Sequence, residues 1–82
     1  MNVILTYRAA KQGDLIDAPS RKRIQIAIEL YAMTGYGDVR ALVGYPGEYR
    51  LRVGSWRVRF SIDAARDTMV VLCVLPRSEA YK

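Results

Sequence analysis

Histidine is missing from these 82 residues, cysteine occurs once, and no apolar run approaches the length needed to cross a membrane. Each absence narrows the chemistry. Without histidine there is no side chain that titrates near neutrality of its own accord, and the commonest ligand for zinc is gone. A lone cysteine allows no intramolecular disulfide, and Cys73 lies inside the apolar run Met69 to Leu75, where it reads as a small buried hydrophobe. A catalytic thiol would want a histidine base or a cationic niche. The apolar patch Val3 to Leu5 is too short for an anchor, so the expectation is a soluble cytoplasmic protein. The length fits one compact domain, taken as residues 1–82, and leaves no room for a second.

What is present is positive charge. Thirteen Lys and Arg face eight Asp and Glu, a net charge of +5 that favours polyanionic partners over acidic metal sites. Most of the basic residues are arginine, whose planar fork binds phosphate bidentately and stacks on bases; a merely solubilising surface would be served as well by lysine.

Along the chain, Val3-Ile4-Leu5 predicts a short strand, and Thr6 can cap a helix running toward Leu15 and Ile16, weakened by Gly13. Asp17-Ala18-Pro19-Ser20 reads as a stop and restart, the proline ending one helix and Asp17 or Ser20 capping the next. From Arg21 to Thr34 the residues Ile24, Ile28 and Tyr31 recur at i, i+4 and i+7, the spacing of one helical face, and Gly35 and Gly37 end the run. Beyond Gly37 the period falls to two, which predicts a sheet. Asp38 to Val43 fits a short edge strand and Gly44-Tyr45-Pro46-Gly47 a turn. Glu48 to Val53 and Trp56 to Ile62 then alternate about Gly54-Ser55, a two-residue hairpin signal of type II′. After a looser turn, Asp63 to Asp67, the continuous apolar run Thr68 to Leu75 suits an interior strand, and Pro76 stops it. The class is α+β.

A hairpin turning at Gly54-Ser55 sets Arg52 opposite Arg57 and Arg50 opposite Arg59, with Val53, Trp56, Leu51, Val58, Tyr49 and Phe60 on the other face. Like charges directly opposed cost roughly 0.2–1 kcal/mol per pair. A solvated face could fan such arginines apart or pair them with Glu48, Asp63 and Asp67, but two opposed pairs at one tight hairpin are better explained by a phosphate backbone or an acidic protein segment. The segment Arg77 to Lys82 follows the last strand at once, so Arg77 adds a fifth fork at the sheet rim and Tyr81 an aromatic face able to stack on a base.

The stretch Gly44 through Ile62, GYPGEYRLRVGSWRVRFSI, is similar to the core signature of RelE-type toxins, in which a tyrosine-arginine strand and a Gly-x-aromatic-Arg hairpin recur. The ending VVLCVLPRSEAY matches the family's last strand, followed by an arginine and then a tyrosine. The chain thus resembles the RelE/ParE superfamily, with the messenger-RNA interferases as its nearest kin. That resemblance implies two N-terminal helices packed on a mostly antiparallel sheet of four to five strands. It also implies a toxin of a type II toxin-antitoxin pair that cuts messenger RNA in the ribosomal A site, without metal or cofactor, using the ribose 2′-hydroxyl as nucleophile. The family's catalytic positions fall on Arg50, Arg52, Arg57, Arg77 and Tyr81, while Arg59 joins Arg50 and Arg52 in binding RNA. Arg57 and Arg77 are expected on the solvent face, removable without harm to the fold. The implied partners are a cognate antitoxin, messenger RNA and the ribosome, with operator DNA reached only through the antitoxin and no membrane involved. Two other functions fit the same residues: a ParE-like inhibitor of DNA gyrase, and a binding module without catalysis.

Overall fold

The computed structural model describes residues 1–78. Strand β1 (Asn2–Leu5) leads into helix α1 (Tyr7–Leu15) and helix α2 (Ala18–Thr34), followed by strands β2 (Asp38–Ala41), β3 (Glu48–Val53), β4 (Trp56–Asp63) and β5 (Thr68–Pro76). The five strands form one sheet in the order β1-β5-β4-β3-β2, with β1 parallel to β5 and every other pair antiparallel. Helices on one face of a mostly antiparallel sheet are the expected α+β arrangement.

Local chemistry sets the boundaries. The Thr6 hydroxyl accepts the Ala9 N–H at the start of α1 and donates to the Leu72 carbonyl at 2.7 Å, so one side chain caps the helix and ties it to β5. Asp17 caps α2 by accepting the Ser20 N–H at 3.0 Å. Pro19 therefore sits inside the first turn of α2, where its missing N–H would be unpaired anyway, and does not mark the break between helices. Gly35, at φ +76°, closes α2 in the left-handed conformation.

The bond from Ser20 holds the Asp17 carboxyl below its ordinary 3.8, because it favours the ionised form. A lowered folded-state pKa means that the carboxylate's contribution is fully present above the unfolded value and is lost as pH falls through the folded one. Asp17→Asn keeps a capping oxygen and removes the charge. Thermal melts should show the variant below the parent at neutral pH and level with it in strong acid; equal melting temperatures throughout would sink this account.

The core lies between the helices and the inner sheet face, where Ile24, Ile28 and Ala32 of α2 meet Leu51, Val53, Val58, Phe60, Met69, Val71 and Val74. Phe60 is completely buried at its centre, stacked on Tyr49 at 5.6 Å between ring centroids and tilted against Tyr31 at 5.3 Å. Strand β5 reaches this core through a bulge. Arg59 pairs with Cys73 but Phe60 pairs with Val71, leaving Leu72 as the extra residue. The bulge shifts the alternation, so that Met69, Val71 and Val74 all face inward and the freed Leu72 carbonyl takes the Thr6 hydroxyl.

Candidate nucleic-acid interface

The hairpin closes in the predicted register: Val53 with Trp56, Arg52 with Arg57, Leu51 with Val58, Arg50 with Arg59 and Tyr49 with Phe60. Gly54 has φ +59° while Ser55 keeps a negative φ, the pattern a type II′ turn requires. Because β4 is the middle strand of five, side chains on its outer face are flanked on both sides, and its two arginines, Arg57 and Arg59, are far less solvated than an open face would leave them.

Arg57 departs furthest from expectation. It is on the arginine face but only 4% exposed, not out in solvent. Its Nη1 donates to the carbonyls of Gly54 and Trp56, both at 2.9 Å, so the guanidinium is folded back onto the turn that creates it. Neighbours on both sides, Arg52 on β3 and Leu75 on β5, complete the cover. Removing this side chain must therefore disturb the hairpin as well as the charge.

Arg59 is held by three features. Its Nη2 donates to Glu48 Oε1 at 2.7 Å, its guanidinium lies over the Tyr45 ring at 4.3 Å from the centroid, and its Nε is buried with no acceptor among the described residues. Arg50 reaches Asp38 at 3.5 Å, a long contact to a half-exposed carboxylate that contributes little. Arg52 is exposed, and among the described residues no carboxylate comes within ion-pair distance of Arg52 or Arg57. Arg77 is exposed, and its backbone N–H donates to the Ser55 carbonyl at 2.8 Å, which anchors the chain after β5 beside the hairpin turn. Tyr81 lies outside the described residues.

The Glu48–Arg59 pair is mostly shielded from water, so separating it should cost more than a surface ion pair. Glu48→Ala is expected to lower stability by about 1–2 kcal/mol, because Arg59 keeps its burial and loses its acceptor. Urea denaturation of Glu48→Ala, Arg59→Ala and the double variant checks this; strictly additive losses would mean the two side chains do not depend on each other.

Cys73 is 2% exposed, but it lies opposite Arg59 on the arginine side of the sheet, outside the main core cluster. Burial pushes its thiol up, Arg8 and Arg59 draw it back, and Glu48 adds to the rise. A thiol held protonated in this way is a packing group. Among the described residues, no three His, Cys, Asp or Glu side chains are placed to hold a metal ion.

Two arginines escaped the sequence reading. Arg40 on β2 pairs with Arg50 in the β2–β3 register and joins the same face. The alternation Asp38-Val39-Arg40 hinted at it, but only the pairing of β2 with β3 shows which neighbour it meets. Arg23 of α2 brings Nη2 to 3.1 Å from the position a Gly54 side chain would occupy, so a helix residue also reaches the hairpin tip.

Comparison with known proteins gives a consistent picture. The family model described as ParE toxin of type II toxin-antitoxin system, parDE, matches residues 3–81. The RelB-RelE antitoxin-toxin complex from Methanococcus jannaschii contains a chain that superposes with a TM-score of 0.77 at 26% identity, over 95% of this chain and 94% of that one. The archaeal RelE-RelB complex from Pyrococcus horikoshii OT3 gives 0.78 at 21%, over 96% and 97%. A YoeB/ParE toxin from Agrobacterium tumefaciens gives 0.79 at 17%, over 93% and 98%. No curated protein matches the chain.

Proposed function

This chain belongs to the family of ParE toxins of type II toxin-antitoxin systems, and from that premise we propose that it is a metal-independent endoribonuclease that cuts messenger RNA on the ribosome and so stops translation. The observation that carries this reading is the pair of opposed arginine couples, Arg50 with Arg59 and Arg52 with Arg57, on a hairpin whose turn also anchors the backbone of Arg77. So much like charge on one small sheet surface calls for an anionic substrate.

In the proposed reaction the ribose 2′-oxygen bonds to the adjacent phosphorus, the bond to the 5′-oxygen of the next nucleotide breaks, and a proton passes from the former oxygen to the latter. Negative charge grows on the phosphorane and on the leaving oxygen. Arg57 and Arg77 are assigned to stabilise it; the Arg57 guanidinium is held by its turn contacts and needs no reorganisation as the charge develops, and Arg77 enters from a backbone anchored at the same turn. Arg50, Arg52 and Arg59 hold the flanking phosphates. An arginine with a pKa above about 12 does not serve as a base, so these residues orient and neutralise. Glu48, the nearest carboxylate in sequence, is engaged by Arg59. Tyr81 is assigned to stack on the base or to assist proton transfer.

A cognate antitoxin is the proposed partner, and operator DNA would be reached only through it, with the cytoplasm as the place of action. Support comes from two sides. RelE-like chains of the same fold were solved as complexes with RelB antitoxins, and α2 leaves Ile26, Leu30 and Met33 exposed at i, i+4 and i+7. Among the described residues, no helix is long and apolar enough to cross a membrane.

A second reading, inhibition of DNA gyrase, is favoured by the family model itself, which is that of ParE toxins. Expression with and without the antitoxin separates the two. Primer extension on translated messages should reveal new 5′ ends. Growth arrest without them, together with an SOS response and altered supercoiling, would replace the nuclease with the gyrase inhibitor.

A further inference from the structure

On the far side of the hairpin from its turn contacts, the arginine face continues onto a third strand. Register places Arg40 of β2, Arg50 of β3 and Arg59 of β4 side by side in one row across the sheet. At about 4.8 Å between strands the row spans about 10 Å. Arg40, Arg50 and Arg52 line an open cleft of about 290 Å³ together with Asp38, Ala41 and Leu42. The acids are unevenly spread along this row: Asp38 reaches Arg50 and Glu48 reaches Arg59, while among the described residues no carboxylate comes within ion-pair distance of Arg40. Exposed Arg40 and Arg52 thus flank the cleft with guanidiniums that lack a partner there.

We propose that Arg40, with Arg50 and Arg52, forms a phosphodiester-binding subsite for single-stranded RNA on the β2–β3 edge of the sheet, one step along the strand from the phosphate that reacts. This deepens the nuclease reading and rests on it for the direction in which the RNA runs. Nucleic acid fits the cleft better than protein. Its lining is dominated by charge, whereas the centre of a protein interface is depleted in charge. Tyr45, carrying the Arg59 guanidinium on its ring, adds an aromatic platform at the same end of the sheet, and guanidiniums interleaved with aromatic rings are how proteins track single strands without reading sequence. A subsite of this kind contributes affinity and leaves the chemical step to Arg57 and Arg77.

The test uses the full chain and a fluorescein-labelled 2′-O-methyl oligouridylate of about ten nucleotides, long enough for the face and lacking the free 2′-hydroxyl needed for cleavage. Anisotropy titrations are run across salt concentrations for the parent, Arg40→Gln, Arg40→Lys and, as a control of equal charge change, Arg66→Gln on the turn after β4. Arg40→Gln should weaken binding roughly five- to tenfold and reduce the slope of log affinity against log salt by about 0.7, the value for one lost phosphate contact on a single strand. Arg40→Lys should keep most of the slope and lose part of the affinity. A parent that does not bind the oligonucleotide, or Arg40→Gln and Arg66→Gln changing it equally, overturns the subsite. So does Arg40-dependent binding of a polyglutamate peptide with oligonucleotide binding indifferent to Arg40, which would make the cleft a protein dock. The nuclease reading is judged separately by new 5′ ends in cells: binding that depends on Arg40 without message cleavage leaves the subsite standing and removes the enzyme, and cleavage without that dependence does the reverse.

Discussion

Arg57→Lys is expected to reduce message cleavage by about 10²–10³-fold, the loss typical of one preorganised donor to a developing anion, while the melting temperature stays within a few degrees of the parent. The separation follows from which atom does what. A single nitrogen, Nη1, donates to both the Gly54 and Trp56 carbonyls, and a lysine ammonium can supply the same two bonds. What lysine cannot supply is the rest of the fork, the Nε and Nη2 donors that the proposed reaction would direct at a phosphate oxygen. Arg57→Ala should lose the activity and about 1–2 kcal/mol of stability besides, because the buried stem and both turn contacts go together. Cleavage rates in a translation extract, read beside thermal melts, decide the matter. A lysine variant that cuts at the parent's rate would reduce Arg57 to a staple for the turn.

The largest structural effect belongs to Phe60. It has no solvent exposure, pairs with Tyr49 and Val71 on its two flanking strands, and carries the ring of Tyr31 from α2. Phe60→Ala removes a ring that packs against both Tyr31 of the helix and Tyr49 of the sheet, and is expected to cost about 3–5 kcal/mol. A chain of this length holds roughly 4–12 kcal/mol in all, so the variant loses a large share of its total stability. Circular dichroism and urea titration provide the check, with Phe60→Leu expected to retain most of the stability. A loss below about 1 kcal/mol for the alanine variant would mean that the cavity collapses and that the core is looser than its burial implies.

The two effects differ in how far the sequence alone announces them. Phe60 is legible as an inward residue because Trp56, Val58, Phe60 and Ile62 alternate with Arg57, Arg59 and Ser61, and alternation is enough to assign faces. The role of Arg57 in the turn is not legible. Alternation says that it faces away from the helices, and outward-facing normally means solvated; burial depends on β4 being the central strand, a fact of strand order that no local pattern records. For the same reason Arg40 went unnoticed as a member of the face: β2 carries the right alternation, but its pairing with β3 is decided across the intervening Gly44–Gly47 turn. The continuous apolar run of β5 concealed the bulge at Leu72, since a strand apolar on both sides shows no change of phase when one residue is inserted.

Two kinds of information are therefore separable in this protein. Local pattern, acting over a few residues, determined the helix start at Thr6, narrowed the second to Asp17 or Ser20, and set the left-handed stop at Gly35, the reversal at Gly54-Ser55 and the gathering of Arg50, Arg52, Arg57 and Arg59 on one side, because caps, turns and alternation are near-neighbour interactions. Strand order, the bulge in β5, the enclosure of Arg57, the pairing of Glu48 with Arg59 and the arrival of Arg40 beside Arg50 were decided only when distant segments met. Burial and pairing are properties of what lies across the gap, and a chain read one residue after another does not contain its own neighbours in space.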